Sequence, residues 1–262
     1  METLELLTQF YENYDEEGRL LSRHGSVEFL TTMHYIDKYL RPGMRILEVG
    51  AATGRYSHTL ARRGFRVDAV ELVQHNIDIF NTLTQPGEDI TIRQGDARDL
   101  SCFGDETYDI VLLLGPMYHL FGAEDQHKAL SEALRVTKRG GILFTAYCGN
   151  DGCMIAYGFG KNELQDEAFL AAIDQETFMA TSDATGAFNL LRREHVEELM
   201  SHYTVTRLHF VGTDMFTNYM RAVVDAWDDA FFEVYLRYHF ATCERADLVG
   251  ASHHFLDICR KD

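Results

Sequence analysis

Proline and tryptophan are nearly missing from this chain: three and one, respectively, in 262 residues. With 46% hydrophobic residues, that scarcity excludes a collagen-like or disordered polymer and leaves a packed globular chain. The five cysteines (102, 148, 153, 243 and 259) form an odd set without a Cys-x-x-Cys pair. Reduced, mostly buried thiols are expected, with neither a disulfide framework nor a metal site. Long apolar runs are missing too. A run such as Ile110 to Leu114 falls far short of the roughly 18 residues of a membrane span. The start, Met1-Glu2-Thr3-Leu4-Glu5, lacks the basic region of a secretion signal, so the expected location is cytoplasmic.

Positive charge is the last shortage. There are 24 Lys+Arg against 41 Asp+Glu, a formal charge of −17. The basic residues come singly or in doublets such as Arg62-Arg63 and Lys138-Arg139. Such a field repels polyanions, so a small molecule is expected as partner rather than nucleic acid or a membrane; a homodimer stays open.

What is present is an alternation of strand and helix signals. The first 43 residues read as helical, with Val27, Leu30, Met33, Ile36 and Leu40 at helical spacing, Ser26 as N-cap and Arg41-Pro42-Gly43 as the stop. Strands are expected over 44–49, 66–71, 90–93, 108–114 and 142–147, the last preceded by a turn at Lys138-Arg139-Gly140-Gly141. Helices are expected from Arg55 to Gly64, over a stretch carrying Leu72, Ile79, Phe80 and Leu83, and over 125–136. Further on, 192–200 reads as helix and 204–211 and 253–259 as strands. Two segments, 149–189 and 214–249, exceed plain connections. The first carries an expected helical stretch near 163–180. The second holds eight aromatics between Phe216 and Phe240, with Tyr219, Val223 and Trp227 on an expected buried face. The whole, 1–262, reads as one α/β domain with a parallel sheet covered on both faces.

The informative segment is Glu48-Val49-Gly50-Ala51-Ala52-Thr53-Gly54-Arg55-Tyr56. A glycine-bearing turn between a strand and a helix lets backbone N–H groups approach a ligand. Glu71, at the next strand end, is spaced to meet a ribose. A dinucleotide turn would need glycine at 50, 52 and 55, and this chain has Gly50, Ala52 and Arg55.

The spacing acid-x-Gly-x-x-x-Gly resembles the first motif of the class I S-adenosylmethionine-dependent methyltransferases, with Ala52 in the place of the middle glycine. Gly95-Asp96-Ala97, Leu114-Gly115-Pro116-Met117-Tyr118-His119-Leu120 and Lys138-Arg139-Gly140-Gly141 resemble later motifs of that family. The stretches Tyr11-Glu12-Asn13-Tyr14-Asp15, Arg19-Leu20-Leu21-Ser22-Arg23 and Val27 to Thr32 resemble a bacterial small-molecule branch of it. The resemblance implies a doubly wound, Rossmann-like seven-stranded sheet, order 3-2-1-4-5-7-6, with the last strand antiparallel. It implies methyl transfer from S-adenosyl-L-methionine, leaving S-adenosyl-L-homocysteine. On this reading Glu48, Gly50, Ala51, Ala52, Thr53, Gly54, Tyr56, Leu72, Ala97, Leu114 and Gly115 surround the cofactor, Glu71 takes the ribose hydroxyls, and Asp96 reads adenine. Arg23 or Arg19 would clamp the carboxylate or stand solvated on a helix face. Tyr11 and Tyr14 would cap the pocket or pack. His119 and Tyr118 are the catalytic candidates, His119 as base or as a structural group. Met117, Tyr118, Tyr147 and Phe159 would suit a compact aromatic acceptor, roofed by the N-terminal helices and the two long segments. RNA methylation and non-catalytic cofactor binding are the alternatives.

Overall fold

The computed structural model describes residues 3–12, 18, 21–181 and 188–262. Its strands are β1 Arg45–Val49, β2 Arg66–Glu71, β3 Ile90–Gln94, β4 Tyr108–Leu113, β5 Thr137–Gly149, β6 Leu190–Leu191, β7 Val205–Gly212 and β8 His254–Lys261. They form one sheet in the order β3-β2-β1-β4-β5-β8-β7, with the two-residue β6 paired to the end of β5 off this path. Leaving β6 aside, this is the expected seven-stranded order, and β6 is the one strand more. β1 to β5 are mutually parallel, and β8 runs antiparallel to both β5 and β7.

The central strands are apolar on both faces because helices cover both. Leu47, Val111, Leu113 and Leu143 belong to one core, while Ile46, Ile110, Leu112 and Phe144 belong to the other. Each such side chain withdrawn from water contributes about 1.5–3 kcal/mol. The covering helices include α1 Thr3–Glu12, α2 Arg23–Tyr39, α3 Arg55–Arg62, α4 Gln74–Leu83 and α5 Ala123–Val136. Later come α6 Asn150–Cys153, α7 Glu167–Ala171, α8 Arg193–Met200, α9 Arg221–Asp225 and α10 Asp229–Thr242.

Four local expectations are corrected. The N-cap of α2 is Ser22, whose hydroxyl accepts from Gly25 N–H; Ser26 lies inside the first turn and donates to the Arg23 carbonyl. The segment Lys138 to Gly141 belongs to β5 as an irregularity, the register passing from Tyr108↔Thr137 to Ile110↔Ile142. Beyond α7 the expected helix of 163–180 stops. There Asp174 accepts from the N–H groups of Glu176 and Thr177 and from the Thr177 hydroxyl, a local turn that competes with helix. In the second long segment, Val223 is 55% exposed, and Val224, Phe232 and Leu236 pack on Val27 instead. The break between α9 and α10 resets the helical phase that a single run would have kept. Tyr14 and Arg19 lie outside the described residues.

Candidate active site

The C-terminal ends of β1 to β5 meet at one edge of the sheet, the edge where parallel α/β sheets bind ligands. A cavity of about 1220 Å³ opens there. That exceeds the roughly 300–1,000 Å³ of a single-ligand pocket and leaves room for a nucleoside-sized molecule beside a smaller one.

The β1–α3 turn forms one wall. Gly50 has φ +77°, and a Cβ on it would come within 2.5 Å of the Pro116 ring, so this turn and the loop after β4 are packed face to face. Gly54, φ +89°, backs onto Phe80 of α4 with room for a hydrogen alone. Ala52 adopts φ +46°, the left-handed conformation for which glycine is suited. Its methyl group costs about 1 kcal/mol there.

Two acids lie beneath the turn. One Glu71 carboxylate oxygen accepts from Ala52 N–H at 2.8 Å, and the other from Val73 N–H at 2.9 Å and Asn76 Nδ2 at 3.3 Å. The second strand end therefore holds the first turn in shape. Burial raises the Glu71 pKa against these bonds. Glu48 accepts from the Ser57 hydroxyl. Burial pushes it up to about 8, the Ser57 bonds opposing and the Glu71 charge adding to the effect. Asp96 is gripped by Arg98 (Nε–Oδ1 3.0 Å, Nη2–Oδ2 2.6 Å), which also reaches Asp125. Burial works to raise the Asp96 pKa, but the Arg98 bonds hold it below the usual carboxylate range.

Ala51, Thr53, Tyr56, Leu72, Ala97, Leu114 and Gly115 all stand on the cavity wall with these groups. Tyr118 and His119 follow on a short 3-10 turn after β4. His119 Nε2 lies 3.0 Å from the Tyr11 hydroxyl of α1, and its ring packs against Phe188. Arg23 and Gly54 stand off the wall: the Arg23 guanidinium pairs with Asp229 at 2.9 Å and lies over Phe232. Of the four residues expected to shape an aromatic acceptor site, Tyr118 alone lines the cavity. Met117 and Tyr147 are in the core, and Phe159 is 62% exposed. Strand alternation explains Tyr147, because its neighbours Ala146 and Cys148 take the cavity side.

Sequence reasoning missed two features. Arg55, at the first position of α3, lies over Phe29 on the cavity wall, its Nε buried without a hydrogen-bond partner among the described residues. The second is a cluster at the far end. Because β8 is antiparallel, its first residue, His254, arrives at the ligand edge where β7 ends, next to Asp214. Asp214 Oδ1 accepts from the Ser252 hydroxyl and from the N–H groups of His253 and His254; Oδ2 accepts from Asn218 Nδ2 and from His254 Nδ1 at 2.8 Å. Glu28 of α2 lies 3.5 Å from the same nitrogen. Burial works hardest to raise the Asp214 pKa, but the charge of His254, its hydrogen bond, His253 and the Ser252 bond together outweigh it, and Asp214 ends well below the usual range. The signal was available, since an antiparallel last strand must begin where its neighbours end.

Residues 47–145 match the family model described as a methyltransferase domain. That stretch is similar to methyltransferase domains. It is 32% identical over 106 residues to an S-adenosyl-L-methionine-dependent Diels-Alderase from Talaromyces variabilis, covering 39% of this chain and 35% of that protein. It is 31% identical over 105 residues to a ubiquinone biosynthesis O-methyltransferase from Caulobacter vibrioides, covering 40% of each. The chain thus spans well under half the length of these two relatives. In fold it is similar over its whole length to a geranyl diphosphate C-methyltransferase from Streptomyces coelicolor solved with S-adenosyl-L-homocysteine, at TM-score 0.63 and 14% identity, covering 99% of that chain. The methyltransferase domain match runs from β1 to within β5, and His254 lies beyond it.

Proposed function

We propose that this protein transfers a methyl group from S-adenosyl-L-methionine to a small organic acceptor. The observation that carries this reading is the Glu71 carboxylate at the end of β2, joined to the left-handed turn at Ala52 and open to a cavity large enough for two molecules. A ribose diol needs such an acceptor, and a carboxylate makes charge-assisted bonds to it. Around it, Asp96 would meet the adenine amino group, and Leu114 and Gly115 would pass beside the methionine chain. Arg55, a cation on an aromatic platform whose buried Nε has no hydrogen-bond partner among the described residues, suits the methionine carboxylate better than Arg23, which Asp229 already holds. When bound, the cofactor supplies an activated methyl group for in-line displacement. The chain's work is to position an acceptor and keep water out.

The acceptor end supports a small molecule. Residues of α1, of the 149–189 segment and of the 214–249 segment line the cavity beside the cofactor end. The formal charge of −17 opposes RNA at any approach. Calorimetry on the folded protein tests the reading: heat with both S-adenosylmethionine and S-adenosylhomocysteine is expected, and none with either overturns it. A panel of phenols, carboxylates and amines, read out as S-adenosylhomocysteine released, then identifies the acceptor. Efficient methylation of RNA at physiological salt would overturn the substrate class.

A further inference from the structure

We infer that His254, aligned by Asp214, takes the proton of the acceptor, so that the base stands at the start of β8 rather than in the loop after β4. The inference rests on the methyltransferase reading above.

The geometry has three parts. Asp214 Oδ2 accepts from His254 Nδ1 at 2.8 Å, which places the proton on Nδ1 and leaves the Nε2 lone pair as the basic site of the neutral ring. The ring sits 5.7 Å from that of Tyr118, and both line the cavity with Cys148. Asp214 is itself immobile, since five donors fill its two oxygens. That saturation also argues against a metal, although Asp214, His253 and His254 lie within ligand distance of one another. An aspartate so occupied anchors a histidine. His119, by contrast, has its Nε2 taken up by the Tyr11 hydroxyl.

In the step proposed, the acceptor's X–H bond breaks and its proton goes to His254 Nε2. The X electron pair forms the bond to the methyl carbon, and the C–S bond breaks with its pair left on sulfur. The proton leaves His254 for solvent after the product. Asp214 and Glu28 act as positioning residues, one holding the tautomer and both stabilising the imidazolium.

The groups facing His254 are Glu28, Asp214, His253, Cys148, Tyr118 and, across the cavity wall, Arg221. Burial favours the neutral ring, but the Glu28 and Asp214 carboxylates outweigh it and hold the proton well above the ordinary histidine range. A cation seated beside the ring lowers that proton affinity. A sulfonium and the neutral thioether differ by that one charge, which supplies a test that needs no acceptor.

The full chain with nitrogen-15-labelled histidine is titrated by NMR, in complex with S-adenosylmethionine and with S-adenosylhomocysteine, after calorimetry has established binding. The expected result is the Nδ1–H tautomer for His254 and a titration midpoint about 0.5–2 pH units lower in the sulfonium complex. Glu28→Gln should lower the midpoint in both complexes and keep the difference between them. Equal midpoints in the two complexes, or the Nε2–H tautomer, overturn the assignment while leaving the cofactor site standing. Absence of binding heat overturns the methyltransferase reading and this inference with it.

Discussion

The two ends of the cavity are built from different kinds of chain. At the cofactor end, most wall residues lie within a few positions of a strand's C-terminal end, and backbone groups do most of the shaping: Ala52 N–H and Val73 N–H meet Glu71, and Gly50 meets Pro116. At the acceptor end the contacts are between side chains far apart in sequence. Asp214 meets Ser252 and His254, Glu28 approaches His254, and Tyr11 meets His119. A backbone-built site follows from local pattern and is hard to vary; a side-chain-built site can be altered residue by residue without disturbing the sheet. The same scaffold can then hold one cofactor and accept different substrates.

The comparison predicts where substitutions will hurt stability, affinity or neither. The largest effect belongs to Gly54→Ala, where a Cβ would overlap Phe80 in a left-handed turn. A loss of about 2–4 kcal/mol is expected in denaturant unfolding, and wild-type stability would mean that the turn is looser than described. Next is His239, buried in the acceptor half. Thr31 Oγ1 gives its hydrogen to the Val27 carbonyl, so it accepts from His239 Nε2–H, and Nδ1 is left bare. Burial lowers the His239 pKa from 6.5 to about 4. The unfolded chain therefore binds a proton that the folded one refuses, and stability falls as pH drops from about 6.5 to 4. The loss is about 2–3 kcal/mol. His239→Gln should flatten that limb of the stability profile; an unchanged slope would place its origin elsewhere, with His253 the next candidate because burial lowers it similarly.

Glu71→Ala should weaken S-adenosylhomocysteine by about 1.5–3 kcal/mol in calorimetry, through the lost ribose acceptor and a turn left without its anchor. Smaller still is His119→Ala. It should keep S-adenosylhomocysteine affinity within about twofold, and with an acceptor in hand should lose less than the 10²–10⁴-fold typical of a missing base. A loss in that range would return the proton-accepting role to His119. The smallest effect is Ala52→Gly. Relief of the left-handed strain and the greater freedom of the unfolded chain nearly cancel, leaving a change within about 0.5 kcal/mol, and a larger shift in thermal midpoint would mean that the alanine methyl packs in its own right.

Legibility in the sequence follows the same division. β2 ends at Glu71 and α3 begins at Arg55, as pattern alone indicates, because apolar runs and glycine punctuation are local signals. The cap of α2 was misread by one turn because Ser22 and Ser26 carry the same side chain; what separates them is which hydroxyl faces a free N–H. The role sketched for Arg23 met a competitor, Asp229, which is 206 positions away in the chain and is visible only when α2 and α10 are packed together.

By itself, then, the sequence determined the central strands, the glycine turn and the acids at the ends of β1 and β2, because hydrophobic periodicity and glycine punctuation are local signals; the order of the strands came through the family resemblance. Only the tertiary structure decided the acceptor end. Asp214, His254 and Glu28 come from three separate elements, and their hydrogen-bond partners and proton affinities exist only once folding has taken them out of water and set them against one another.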